Sequence, residues 1–123
     1  MFKEIGYSII DYQDASVGSP IYDLVSLVED ARIDITQSLS DNIITYYCNK
    51  KQIKSSSIKD EYDLIATQRN LRILGVFSYH MIRNNNDKYI KYIPRVLNYV
   101  KRDLSNPLLV NILTWLRSKK III

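Results

Sequence analysis

The sequence predicts a mainly α-helical fold, with an N-terminal β-strand or hairpin followed by about five helices. Three observations support this prediction. The 123 residues include only three Gly and three Pro, which favours long regular elements. Apolar residues recur at three- and four-residue spacing along most of the chain. Only the first dozen residues are rich in the β-branched and aromatic side chains typical of a strand.

The composition is that of an ordinary globular protein. Hydrophobic residues make up 46% and charged residues 24%, and the net charge is +4 without a basic block. We therefore expect residues 1–123 to form a single domain. Cys48 is the only cysteine, so the chain forms no intramolecular disulfide and suits a reducing cytoplasm. The longest apolar windows are far shorter than the ~18 residues that cross a bilayer, so no membrane is predicted as a partner.

The first elements are a strand and a capped helix. Phe2 to Tyr12 is predicted to form a strand, and the apolar run within it ends at Asp11. We expect Gly18, in the loop that follows, to allow a backbone conformation that a side chain would hinder. Ser19-Pro20 is a typical helix start, because Ser accepts a first-turn hydrogen bond and Pro lacks a donor that would go unused. This helix should continue to about Ile33 to Ile35.

The next segments are predicted as a short helix and a loop. Ser38 or Ser40 is suited to cap a helix over about Asp41 to Asn49. Lys50 to Lys59 is the most polar stretch and contains three consecutive serines, which indicates a solvated loop.

A long helix is predicted from about Ile58 to Arg83 and ends at three consecutive asparagines. It is apolar on most sides between Leu71 and Ile82, as expected of a central helix packed on all sides. We therefore expect Leu74 and Phe77 to be core residues.

The last segments are two further helices. The first begins at Asp87 and should be interrupted or kinked by Pro94, whose ring clashes with the preceding turn. The second begins at Asn106-Pro107, which repeats the arrangement of a capping residue followed by proline.

Asp11 is the strongest candidate for chemistry, because the end of a strand is where a rigid element aims a functional group. A carboxylate there could bind Mg²⁺ during phosphoryl transfer. Spacing alone favours the other interpretation, in which Asp11 is an ordinary residue that begins a turn.

The segment IIDYQDASVGSPIYDLVSLVEDARID, Ile9 to Asp34, resembles the aminoglycoside phosphotransferase-like kinases. It is most similar to the bacterial subgroup that phosphorylates N-acetylmuramate and N-acetylglucosamine at the anomeric position. The similarity continues through Thr67 to Phe77, Lys91 to Leu104 and Asn106 to Leu116. The chain resembles roughly the C-terminal third of such a kinase.

This resemblance implies roles for two acids. Asp11 matches the aspartate that binds Mg²⁺ with ATP, and Asp23 matches an acid that braces the catalytic loop. Asp23 also has a local interpretation, because an acid in the first turn of a helix is favoured by the helix dipole.

The remaining parts of a kinase are not recognisable in the sequence. No phosphate-covering glycine loop, ATP-anchoring lysine or histidine-aspartate catalytic loop is found, and the catalytic base is expected upstream of Met1. We therefore expect the chain alone to be inactive. Its expected partners are a separate upstream kinase fragment or a second copy of itself, with a sugar as substrate of the complete enzyme.

Gln68 and Arg72 are candidates for the sugar pocket, because they form a polar stripe on an otherwise apolar helix. Such a stripe is also typical of an ordinary helix surface. A second hypothesis for the whole chain is a non-catalytic helical interaction module. Nucleic-acid binding, suggested by tyrosines interleaved with lysines, has the weakest support.

Overall fold

The computed structural model describes residues 17–121. Within this part the chain is helical, which confirms the predicted class. Five α-helices are connected by short turns and two single-turn 3₁₀ helices, at Ile90–Tyr92 and Pro107–Leu109. The α-helices, numbered α1 to α5 in chain order, are Ile21–Val28, Gln37–Lys51, Ser55–Asn84, Ile93–Asp103 and Val110–Ser118. The strand predicted over Phe2 to Tyr12, and Asp11 with it, lies outside the described residues.

Helix α1 begins as predicted but ends earlier. The Ser19 hydroxyl accepts a hydrogen bond from the Ile21 amide at 3.1 Å, and Pro20 precedes the first helical residue. The helix ends at Val28, so the predicted end near Ile33 to Ile35 is wrong. An Asp30 carboxylate oxygen accepts from the Arg32 amide at 2.7 Å, and this local turn replaces further helical hydrogen bonding.

The conformation expected of Gly18 is not observed. No glycine in the described part has a positive φ, and a Cβ built on Gly18 would meet no atom within 4 Å. A side chain would therefore fit at this position in the described structure.

Helix α2 is longer than predicted. Thr36 caps it, with its hydroxyl accepting from the Leu39 amide at 3.3 Å, so the expected caps Ser38 and Ser40 are wrong and both lie inside the helix. The helix ends at Lys51 and is followed by its C-cap Gln52, whose φ of 56° lies in the left-handed region.

The loop predicted over Lys50 to Lys59 is also wrong. The connection is residues 52–54, and the three serines form the first turn of α3. The Ser57 hydroxyl donates to the Lys54 carbonyl at 2.6 Å. Such a hydrogen bond from a serine to nearby backbone is compatible with the first turn of a helix.

Helix α3 is the central element, but it is buried over only part of its length. Its buried positions all lie between Ile58 and Asn70. The prediction of packing on all sides between Leu71 and Ile82 is wrong, because Val76 is 43% and Ile82 77% exposed. The three asparagines end the helix as predicted, with Asn85 at a φ of 47°.

Pro94 does not interrupt a helix. It lies in the first turn of α4, where its missing amide hydrogen would have no helical partner. The helix predicted from Asp87 is instead a single 3₁₀ turn that leads into α4. The start at Asn106 is confirmed, because its side chain accepts from the Leu108 amide at 3.0 Å.

The described residues form two hydrophobic clusters on opposite parts of α3. The first joins α1, α2 and the beginning of α3 around Val25 and Ala66, both fully buried. The second joins α4, the second 3₁₀ turn and α5 around Val100 and Leu116. Leu74 packs against the second cluster and is half-buried.

Phe77 contributes differently from the core role we predicted. It is half-buried and stacks on Tyr89, with ring centroids 5.1 Å apart and planes 10° apart. Tyr92 approaches the same ring at 6.3 Å. Phe77 thus anchors the segment that connects α3 to α4, away from either cluster.

Candidate functional site

Asp23 lies in the first turn of α1 and is exposed. An exposed carboxylate at this position can accept hydrogen bonds from a neighbouring segment, and the adjacent Leu24 fixes the helix by packing in the core. The other predicted acid, Asp11, lies outside the described residues. Within residues 17–121 no group of three or more His, Cys, Asp or Glu side chains could hold a metal ion.

The most unusual feature of the interior is Glu29, which is fully buried directly after α1. Its carboxylate accepts from the Tyr62 hydroxyl at 2.7 Å and from the Asn70 amide at 2.6 Å, both on α3. Arg102, on α4, also donates to Glu29 through a charge-assisted hydrogen bond. One carboxylate therefore joins α1 to both α3 and α4.

Asp103 is a second fully buried carboxylate beside this one. It accepts from the Arg102 guanidinium at 3.0 Å and lies 3.4 Å from the Asn70 amide nitrogen. Two buried acids thus share one arginine. Burial and the charge of Glu29 raise the pKa of Asp103 to about 7.

The other members of this cluster respond to the same environment. Burial, reinforced by the charge of Glu29, raises the pKa of Tyr62 far above its usual range, so its hydroxyl remains a donor. Burial lowers the pKa of Arg102, but the two carboxylates outweigh it and the net pKa is raised. Asn70 Oδ1 and Thr67 Oγ1 are buried without a hydrogen-bond partner among the described residues.

We call Glu29, Tyr62, Asn70, Arg102 and Asp103 the polar cluster. Its Coulombic and hydrogen-bond contacts position α1, and with it the turn that carries Asp23. Two arginines also hold this region, because they donate hydrogen bonds to backbone carbonyls at the end of α1 and in the turn after it. Arg69 donates to the Glu29 carbonyl at 3.1 Å, and Arg95 donates to the Ala31 carbonyl at 3.0 Å.

Sequence reasoning missed the polar cluster, although two signals were available. Glu29 follows Ile21 and Val25 at helical spacing, so it continues the apolar face of α1. Asp103 follows Val96 and Val100 in the same way on α4. An acid that interrupts an apolar stripe on each of two helices is expected to need a buried cationic or donor partner.

An open groove follows the side of α3 that faces α1 and the turn after it. Two adjoining cavities of about 190 Å³ and 300 Å³ form this groove, and they share lining residues of α3, including Arg69 and Phe77. Arg72 and Tyr22 line the first cavity, at the beginning of α1. The remaining lining residues of the second cavity include Asp30, Arg32, His80 and Tyr89.

The two predicted pocket residues thus differ in position. Arg72 lines this groove and is exposed. Gln68 is also exposed, one turn earlier on the same face of α3, but it is not among the residues that line the two cavities.

None of the helices in the described range is long and apolar enough to cross a membrane.

The sequence of the chain is similar to those of several known bacterial proteins. No family model matches it. A protein of Neisseria meningitidis serogroup B is 33% identical over 101 residues, which is 76% of this chain and 30% of the relative. A protein of Caulobacter vibrioides is 25% identical over 87% of the chain, and one of Pseudomonas putida is 26% identical over 75%.

The chain is therefore related to bacterial sugar kinases. More specifically, all three relatives are N-acetylmuramate/N-acetylglucosamine kinases, which confirms the resemblance found in the sequence. The chain spans about 30% of the length of these curated relatives.

Proposed function

We propose that the chain is the C-terminal helical part of an ATP-dependent amino-sugar kinase. The observation that carries this proposal is the 33% identity that extends over 76% of the chain but only 30% of the N-acetylmuramate/N-acetylglucosamine kinase from Neisseria. In such a reaction the γ-phosphoryl group of ATP passes to a sugar hydroxyl. Catalysis of this kind depends on positioning and electrostatic stabilisation, so a rigid helical body is a functional part of the enzyme.

In this proposal Asp11 is the ligand of Mg²⁺, which neutralises phosphate oxygens when it is bound with ATP. Asp23 accepts backbone hydrogen bonds from a catalytic loop supplied by the remaining part of the kinase. The exposure of Asp23 and its place in the first turn of α1 support this role. The polar cluster supports it as well, because it fixes α1 against α3 and α4.

The part of the relatives' length that this chain does not span would supply the nucleotide lobe and the catalytic base. The purified chain alone should consequently consume no ATP in the presence of sugar. Residues 1–123 are proposed to act as one domain, which forms the complete enzyme together with a separate upstream kinase fragment.

Reconstitution tests the proposal. The chain is mixed or coexpressed with the N-terminal part of the Neisseria relative, and phosphorylation of N-acetylmuramate and N-acetylglucosamine is followed. We expect sugar-dependent ATP consumption only when both parts are present, and its loss in Asp11→Asn. Asp34→Asn, an exposed acid in the turn after α1, is the matched control and should retain activity.

Two outcomes would contradict the proposal. Turnover by the chain alone would show that the upstream part is not required. Absence of both activity and binding between the two parts would favour the non-catalytic helical module.

A further inference from the structure

The groove along α3 carries an excess of positive charge. Arg32, Arg69 and Arg72 line it, whereas Asp30 is the one carboxylate among its lining residues. Asp30 is already neutralised by Arg32, because the two side chains form hydrogen bonds of 3.1 Å and 2.9 Å. Arg69 and Arg72 also line the groove, and neither forms an ion pair with a carboxylate of the described residues.

These two arginines have different tasks. Arg69 donates to the Glu29 carbonyl at 3.1 Å and so helps to hold α1. Arg72 forms no hydrogen bond or ion pair within residues 17–121, and its side chain is exposed at the wall of the groove. A guanidinium in this situation can bind a planar carboxylate with two parallel hydrogen bonds.

The other lining residues suit a small organic anion better than a simple ion. In the cavity that Arg72 lines, Tyr22 and Phe77 provide aromatic surface, and Ile73 and Val76 provide apolar surface. Small-molecule sites combine such apolar lining with a few polar groups that fix orientation. The groove is thus suited to a ligand with an apolar face and one carboxylate.

A third cavity, of about 250 Å³, lies where α2, α3 and α4 meet, outside the groove, and its charge differs from that of the groove. Its two cationic lining residues are already paired: Lys59 lies 2.7 Å from Asp63, and Arg102 belongs to the polar cluster. It therefore offers no cation for an acidic ligand, whereas the groove offers Arg72.

We propose that the groove binds the acidic side group of a carboxylate-bearing amino sugar, and that Arg72 pairs with that carboxylate. This inference rests on the proposed function for the choice of a sugar as ligand. N-acetylmuramate carries a lactyl carboxylate that N-acetylglucosamine lacks, so Arg72 is the residue that distinguishes the acidic sugar from the neutral one.

The test measures binding by the chain alone, without ATP or an upstream partner. Ligand-observed NMR or calorimetry gives the affinity for N-acetylmuramate and for N-acetylglucosamine, with free D-lactate as a third ligand. We expect N-acetylmuramate to bind more tightly than both. Arg72→Gln should weaken its binding roughly tenfold or more, through loss of the charge-assisted hydrogen bonds.

Two further variants test whether the effect depends on the guanidinium geometry and on the position of Arg72. Arg72→Lys retains the charge but not the bidentate geometry, and its affinity should lie between those of the wild type and Arg72→Gln. Arg83→Gln removes another exposed arginine of α3 that lies outside the groove, and it should bind as the wild type does. Circular dichroism establishes that each variant is folded.

Several results would overturn this inference. These are equal affinity for the acidic and the neutral sugar, equal affinity for D-lactate, no effect of Arg72→Gln, or no binding by the folded chain up to millimolar sugar. Because no phosphoryl transfer is measured, selective binding would stand even if the reconstituted kinase were inactive. An active reconstituted kinase whose sugar preference is unchanged in Arg72→Gln would leave the proposed function in place and overturn the role of Arg72.

Discussion

The Tyr62 hydroxyl donates to the Glu29 carboxylate at 2.7 Å, across 33 residues of sequence. Tyr62 lies in the first half of α3, and Glu29 is the fully buried residue directly after α1. This hydrogen bond connects the helix that carries Asp23 to the central helix of the fold. Its properties, and those of the arginine and aspartate beside it, lead to three of the predictions that follow.

Removal of the hydroxyl should lower stability without disrupting the fold. Hydrogen bonds to charged groups contribute about 1.5–3 kcal/mol, so Tyr62→Phe should lower the free energy of unfolding by about that amount. Denaturant unfolding provides the measurement. Tyr46→Phe is the matched control, because Tyr46 is 66% exposed, and it should change stability by less than about 0.5 kcal/mol. Equal stability of the two variants would contradict the importance of the Tyr62 hydrogen bond.

Loss of Arg102 should be more damaging, because it leaves two buried carboxylates without their cation. Breaking a wholly buried pair costs about 3–5 kcal/mol, and since the Arg102 side chain is 40% exposed we expect about 2–3 kcal/mol for Arg102→Gln.

Arg32→Gln provides the comparison for Arg102→Gln, because the ion pair between Arg32 and Asp30 is at the surface and its loss should lower stability far less. Urea unfolding of both variants under the same conditions checks the difference. A larger loss from Arg32→Gln would show that the polar cluster is not the main electrostatic contribution.

Stability should depend on pH through Asp103, whose pKa is raised to about 7 by burial and by Glu29. Arg102, which lowers this pKa, and Asp63, which raises it, are the other charged groups that act on Asp103. Between the ordinary aspartate pKa near 3.8 and the raised value, the folded chain holds a proton that the unfolded chain has released. The free energy of unfolding should therefore fall as pH rises through this window and level off above about pH 7.

Unfolding measured at several pH values between about 5 and 8 tests this dependence. Asp103→Asn mimics the protonated side chain and should flatten the curve. Asp30→Asn should leave the slope intact, because Arg32 lowers the pKa of Asp30 and that group titrates below the window. An unchanged slope in Asp103→Asn would show that another group is responsible.

The second hydrophobic cluster provides a prediction that is independent of charge. Leu104 is 2% exposed within this cluster, whereas Leu108, four residues later, is 68% exposed. Leu104→Ala should lower the free energy of unfolding by about 2–5 kcal/mol through lost burial and a residual cavity. Leu108→Ala should change it by less than about 0.5 kcal/mol, and thermal or denaturant melting distinguishes the two. Similar losses for both would mean that the C-terminal helices do not pack as described.

The sequence by itself determined the helical class, the starts at Ser19-Pro20 and Asn106-Pro107, and the stop at three asparagines. These features depend on local physics, namely on which side chains can satisfy the free backbone groups of a helix end. The relationship to sugar kinases was also contained in the sequence. It predicted Asp11 as a metal ligand and Asp23 as a bracing residue, which stay predictions.

Only the tertiary structure decided which polar residues are buried and what they meet. Glu29, Asn70 and Asp103 lie on three different segments of the chain, and no local pattern states that they share one site. The burial of α3 was decided in the same way, because an apolar residue is in the core only where another element covers it. The sequence shows which faces can be covered, whereas long-range packing determines which are, and therefore where the polar cluster and the groove lie.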